Sequence, residues 1–303
     1  MKRLSILCVV LLLLPVLCAG CGAGQENGEP DTPQILEIQS AAELAAWFES
    51  GPTEARITNN IDMGGDMLTL RAGRGVLQLY GGGHTLSGNA PSLIRLEDGA
   101  GLYLEEITLE AKQIAVGLLG SGQLGGKSAA IHAALNAIHA AGALTIANGS
   151  TLSVSSEEGA GIFSVGLTVQ KQAALTVSGS SCAIHTNEGD LVLESGATIA
   201  CEAGGDHAVR TDDILQMDTG AVLTAINTNE YAAVRANSLA IAPGARMEAT
   251  GGENGVGLFV VEQHEDIDVL GFSVPDASCE NGRGSITFHA DALPETTPDA
   301  GSQ

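Results

Sequence analysis

The chain has 303 residues, with 36 Asp and Glu against 13 Lys and Arg, a formal charge of −23 at pH 7 with histidine neutral. Nucleic acid and anionic membrane both require many Lys/Arg contacts to release counterions, so this balance excludes nucleic-acid binding. Apolar residues make up 44% and aromatics 3%, with 40 glycines, which calls for a core of Val, Ile, Leu and Ala rather than of rings.

Met1-Lys2-Arg3 is a basic start, and residues 4–17 are apolar apart from Ser5. That run is too short for a permanent membrane span and predicts a secretory signal over 1–20. It ends Leu17-Cys18-Ala19-Gly20-Cys21. Small residues before a cysteine resemble the lipobox of bacterial lipoproteins, with Cys18 where that family usually carries leucine. The resemblance implies that Cys21 is lipidated and becomes the first mature residue. The competing reading is an ordinary signal peptide cut nearby. Both predict export. The lipobox further predicts a lipoprotein on the outer side of the bacterial cytoplasmic membrane, or in the outer membrane, with the membrane as a partner through Cys21. Loss of Lys2 and Arg3 with the signal takes the formal charge from −23 to −25. Of six cysteines, Cys8, Cys18 and Cys21 belong to this region and leave Cys182, Cys201 and Cys279. An odd number without a C-x-x-C motif describes neither a disulfide framework nor a zinc site. The polar Gly/Pro-containing segment behind Cys21, residues 21–34, reads as a tether.

Ser40-Ala41-Ala42-Glu43 is a capping box that opens SAAELAAWFES, with Leu44, Trp47 and Phe48 on one helical face. This predicts a helix over about 40–49 that closes one end of the domain spanning 35–293. Beyond it the chain repeats. LTIANGSTLSV, LTVQKQAALTV, LVLESGATIAC, ILQMDTGAVLTA and LAIAPGARMEA start at residues 144, 167, 191, 214 and 239. Each is an alternating run, a turn and a second alternating run, and period-two alternation means strands. A second column holds Ile94, Val116, Ile138, Ile162, Ile184, Val209, Val234 and Leu258, at steps of 22, 22, 24, 22, 25, 25 and 24. Leu152, Leu175, Ile199, Leu223 and Met247 form a third. Three strand columns per coil define a triangular all-β solenoid. Its eight positions, at about 4.8 Å each, make a rod roughly 35–40 Å long. Residues 262–293 lose the register and are expected to cap the far end, with GRGSITFHADAL supplying irregular strands; 294–303 read as a disordered tail.

ITNNIDMGGDMLTL (57–70) and VLQLYGGGHTLSG (76–88) resemble the opening turns of exported β-helix proteins. Over about residues 35–290 the chain resembles right-handed parallel β-helices of the pectin-lyase-like class. The resemblance implies fold; activity does not follow, because this fold hosts lyases, hydrolases and inert adhesins alike.

Within this frame, IAVGLLGSGQLGGKSAAIHAAL (114–135) needs separate treatment, since it carries a G-x-G-x-x-G and nearly a Walker loop. Ser121 stands where a Walker loop needs its first glycine. No βαβ unit surrounds the motif, and no acid follows about twenty residues on. Val116 and Ile138 hold their ladder places on either side, so the glycine run is expected in a turn between coils, without nucleotide. Ile131, Leu135 and Ile138 fall at helical spacing, which leaves helix and sheet both open for 128–141.

If the aliphatic member of the second column points inward, the next residue points outward. The outward stripe then reads Arg95, Gly117, His139, Phe163, His185, Arg210, Arg235 and Phe259. Guanidinium forks suit carboxylate or sulfate, and rings stack on sugar faces. This predicts a non-catalytic binding or adhesion module, its ligand an extracellular acidic glycan or a surface protein; ordinary exposed side chains relieving acidic repulsion would look the same in sequence. A structural spacer without ligand is a third reading. The enzyme alternative is a polysaccharide lyase or glycoside hydrolase acting on acidic polysaccharide, with Asp212, Asp213 and Arg210 at its centre. Glu97-Asp98, Glu188, Asp190 and Asp212-Asp213 could bind Ca²⁺, but solvated turn acids explain them better. No cofactor is expected. Cys182 and Cys201 are placed inward, Cys182 beside His207 of the next coil, as packing residues rather than metal ligands.

Overall fold

The computed structural model describes residues 35–252, 255 and 257–261, with the backbone of Ser278–Glu280 and Arg283–His289. The segments read from sequence as a signal peptide (1–20), Cys21 with a tether (21–34) and a tail (294–303), and most of 262–293, lie outside the described residues.

The described chain is a parallel β-helix with three strand columns. One runs from Leu36–Ile38 and Glu54–Ile57 through Val76–Tyr80, Gly101–Glu105 and Gly122–Lys127 to Ser238–Ile241. The next runs from Leu68–Leu70 and Ser92–Leu96 to Leu258–Val260. The third runs from Ile61–Asp62 to Arg246–Thr250. Asn136–Ile146 and Ile162–Val169 turn a corner and serve two columns each, with a register shift between Ala140 and Ala143. The first two columns thereby form one 17-stranded sheet beside an 11-stranded one.

The repeat dictates the core. Ile94, Val116, Ile138, Ile162, Ile184, Val209 and Val234 are each 0% exposed and stack in direct register. In the third column Leu86, Leu109, Ile131, Val154, Val177, Cys201, Ala225 and Ala249 are also buried and in register. Each coil leans only on its neighbours, so apolar burial accumulates along one axis.

Helix Ala41–Ser50 covers the first coil with Leu44, Trp47 and Phe48 buried. Ser40 Oγ accepts from Glu43 N at 3.3 Å, while the Glu43 carboxylate accepts from Gln39 N at 2.7 Å, one residue before the usual capping-box donor. Arg74 Nη2 donates to the carbonyls of Trp47 at 3.2 Å and Gly51 at 2.8 Å, satisfying the helix C-terminus. At the other end, Arg283–His289 pairs antiparallel with Arg246–Thr250, and Ser278–Glu280 pairs antiparallel with Arg283–His289.

Two local expectations are settled or corrected. Residues 128–141 are sheet, in strands Ala129–Ala133 and Asn136–Ile146. The glycine run is not a turn: Gly122–Lys127 is a strand, paired to Gly101–Glu105 below and to 144–146 above. Its glycines answer a need for space. A Cβ at Gly126 would lie 2.4 Å from the Leu104 carbonyl oxygen, and one at Gly125 would lie 2.8 Å from Tyr103 Cδ2. Neither has a positive φ, so a phosphate-cradling loop conformation is absent.

Candidate functional site

The outward stripe of the second column is continuous. Thr69, Arg95, Gly117, His139, Phe163, His185, Arg210, Arg235 and Phe259 pair one to the next through nine coils. All seven side chains singled out from sequence share it, and Thr69 extends it by one step. Gly117 is required by Ser92, whose Oγ would lie 2.8 Å from a Cβ at 117, and it separates Arg95 from the rest.

Two segments differ in chemistry. In the first, the His139 and Phe163 rings stack at 5.1 Å and 20°, and His185 meets Phe163 edge-on at 5.0 Å and 84°. Burial holds the His139 imidazole below its ordinary value of 6.5. Burial and then Arg210 do the same for His185, outweighing Asp212. Both rings are therefore neutral at pH 7.

The second segment centres on Asp212. Arg210 Nε donates to its Oδ1 at 3.2 Å and Arg235 Nη1 to the same oxygen at 2.5 Å. His185 Nε2 stands 3.6 Å from Oδ2, an ion-pair distance too long for a hydrogen bond. Arg210 Nη1 also reaches Asp206 Oδ2 at 3.3 Å, and Asn237 Nδ2 donates to the Asp212 carbonyl. Burial alone would raise the Asp212 pKa, but the Arg210 and Arg235 hydrogen bonds hold it below the usual carboxylate value. The guanidiniums that looked open to an acidic ligand are thus already neutralised by Asp212 and Asp206. Arg95 forms no ion pair among the described residues, and its Nε is buried without a partner.

No protein-family model matches the chain, and no curated protein matches its sequence. A solved structure is similar in fold. The one titled L. reuteri 53608 SRRP superposes with a TM-score of 0.50 over 76% of this chain and 100% of that one, at 14% sequence identity. At that identity the likeness concerns the fold alone.

The remaining acids behave as backbone acceptors in corners. Glu97 Oε2 accepts from Ala72 N at 3.0 Å, Asp98 Oδ1 from Ser121 N at 2.8 Å, and Asp190 Oδ1 from Ile214 N at 3.2 Å. Glu188 and Asp213 are exposed. Among the described residues no three His, Cys, Asp or Glu side chains gather to hold a metal. Cys201 is buried in the core. Burial and then Asp206 push the Cys182 thiol up to about 11, which leaves it protonated and poorly nucleophilic. As expected it sits beside His207 of the next coil, but against that residue's backbone; Sγ lies 3.8 Å from Asp206 Oδ2, and the His207 ring turns away, with Nδ1 2.8 Å from the Ala232 carbonyl oxygen.

A polar cavity of about 570 Å³ lies away from the ladder, on the third column, lined by Asp62, Ser87, Glu110, Lys112, His132 and Ser155 among others. Corners 112–113 and 134–135 beside it are shorter than corners 63–67 and 157–161. The ladder, with its aromatic faces and preorganised polar cluster, is the better-built site.

Asp206 was missed in sequence. Asp212 beside Arg210 was legible, because residues i and i+2 of a strand face the same way and Arg210 Nε meets Asp212 Oδ1; Asp213, one residue on, is exposed.

Proposed function

We propose that the chain is a non-catalytic binding module whose ladder face takes a saccharide chain lying along the rod. The observation that carries this reading is the outward stack His139–Phe163–His185, joined directly to the Arg210–Asp212–Arg235 cluster. The apolar C–H face of a pyranose packs on an aromatic ring, while guanidinium and carboxylate groups hydrogen-bond its hydroxyls. Placement of the rings supports it. Of the seven aromatic side chains among the described residues, Trp47 and Phe48 are buried in the cap, and Tyr80, Tyr103, Phe163, Tyr231 and Phe259 face outward.

With Arg210 and Arg235 paired to Asp212, a neutral saccharide fits better than an acidic one, which would have to displace that carboxylate. The same pairing speaks against Asp212 as the general acid of glycosidic cleavage. A general acid must hold its proton near the working pH, and Asp212 is held ionised.

The test is saccharide binding by wild type and Phe163→Ala, with the buried Trp47 as a fluorescent control for folding. Losing one stacking partner is expected to weaken binding about tenfold, equivalent to about 1.4 kcal/mol. Absence of saccharide binding, or binding indifferent to Phe163→Ala, would overturn the reading.

A further inference from the structure

The glycine run of Gly122–Lys127 remains without a role in the ladder, and its surroundings form a second surface. On the first column two outward stripes lie side by side. Gln78, Tyr103 and Gly125 are in register, as are Arg56, Tyr80, Glu105 and Lys127. Tyr80 and Tyr103 therefore sit on adjacent strands, offset by two residues, with both rings half-buried.

Each ring is held in place. The Tyr103 ring lies against the bare backbone of the next coil: a Cβ at Gly125 would stand 2.8 Å from its Cδ2 and 2.9 Å from the Ala147 Cβ. The conformation of Gly125 is one any residue can adopt, so glycine is needed there for room. Tyr80 donates its hydroxyl to Glu54 Oε2 at 3.2 Å and carries the Arg56 guanidinium 5.9 Å from its ring centroid. Burial, with Glu105 adding to it, raises the Tyr103 pKa, and burial followed by Glu54 raises that of Tyr80, so both hydroxyls stay protonated donors.

We propose that Tyr103 and Tyr80, with Glu105 and Lys127, form a second saccharide site on this column, separate from the ladder and specific for neutral pyranose chains. The rings are pre-positioned, so stacking a sugar on them costs little side-chain entropy. Glu54 and Glu105 offset Arg56 and Lys127, so the patch has no net charge for an ionic ligand to answer. It supplies acceptors and donors for hydroxyl groups instead. The site stands whether or not the ladder binds, because it shares no residue with it.

The chain has three tyrosines, so 3-fluorotyrosine labelling yields three ¹⁹F signals, assigned by Tyr→Phe variants. Cellotetraose, maltotetraose and xylotetraose are titrated into the full chain carrying Phe163→Ala, which disables the ladder. At least one is expected to shift the Tyr103 and Tyr80 signals and leave Tyr231 unmoved. Tyr103→Ala should then weaken that binding at least tenfold, while Tyr103→Phe holds it within about threefold. Gly125→Ala, which pushes a methyl into the ring, should weaken it with the Trp47 emission unchanged. If none of the three sugars moves Tyr103 or Tyr80, or if Tyr103→Ala binds like its parent, the site is refuted. Saccharide binding that Phe163→Ala abolishes outright would support the ladder and refute this second site.

Discussion

Replacing Asp212 by asparagine keeps the shape of the side chain but removes the charge that Arg210 and Arg235 share, 3.2 and 2.5 Å from one oxygen. Two guanidiniums are then left side by side on neighbouring coils. Asp212→Asn is expected to lower stability by about 1–2 kcal/mol, read from the urea midpoint. It also frees Arg235 and leaves Arg210 held by Asp206 alone, so binding of a sulfated oligosaccharide should rise at low salt; unchanged affinity would show that the pairing does not control ligand charge. His139 and His185 both titrate below 6.5 in the folded chain. On acidification the unfolded chain takes up their protons first, so their contribution is complete above about pH 6.5 and is lost as pH falls from there towards the folded values. The melting temperature should be level from pH 8 to 7 and fall by pH 5, more steeply than in a His139→Asn/His185→Asn variant. A parallel decline in the two proteins would remove these histidines as the cause. At this scale the outward parity of every ladder residue was legible, because alternation is a property of the strand. The pairing of Arg235 with Asp212 was not, since it joins residues a coil apart through their rotamers.

Among the elements, the cap helix carries the only tryptophan, 1% exposed and edge-on to Phe48 at 5.1 Å, with Nε1 donating to the Pro52 carbonyl at 2.7 Å. Trp47→Ala opens a cavity over the first coil and is expected to cost about 3–5 kcal/mol. Because the helix covers a sheet end, loss should appear as a lower denaturation midpoint together with concentration-dependent light scattering. A stable monomeric variant would show that the first coil needs no lid. This helix was readable from Ser40, Glu43 and the spacing of Leu44, Trp47 and Phe48. Residues 122–127 were not. A glycine-rich run serves either unusual φ or close packing, and composition cannot separate the two. Gly125 and Gly126 are there for Tyr103 and Leu104, neighbours from another coil. The alanine-rich segment after them has helical spacing, yet pairing on both sides draws Ala129–Ala133 into the sheet, as tertiary context overrides local preference.

For the whole molecule, stability is a sum of coils and the interfaces between them. Thr151 pairs with Ala174 and Ala174 with Thr198, so excising 174–197 brings Thr198 onto Thr151 with every column still in phase. The shortened chain should fold into the same parallel sheet by circular dichroism and unfold in urea with a smaller slope, because less surface is exposed. An unfolded product would mean that the coils are not interchangeable. The amino-acid sequence by itself determined the coil period, the three columns, the inward residues and the capping helix. All of these follow from alternation and helical spacing, which act within a few residues of chain. Export and lipidation at Cys21 stay expectations of the sequence, since residues 1–34 lie outside the described ones. Only the tertiary structure decided that Asp212 also pairs with Arg235 of the next coil, that three rings form one stack, and that Gly125 makes room for Tyr103. Those contacts join side chains a full coil apart, where corner length and rotamer, rather than parity, set who meets whom.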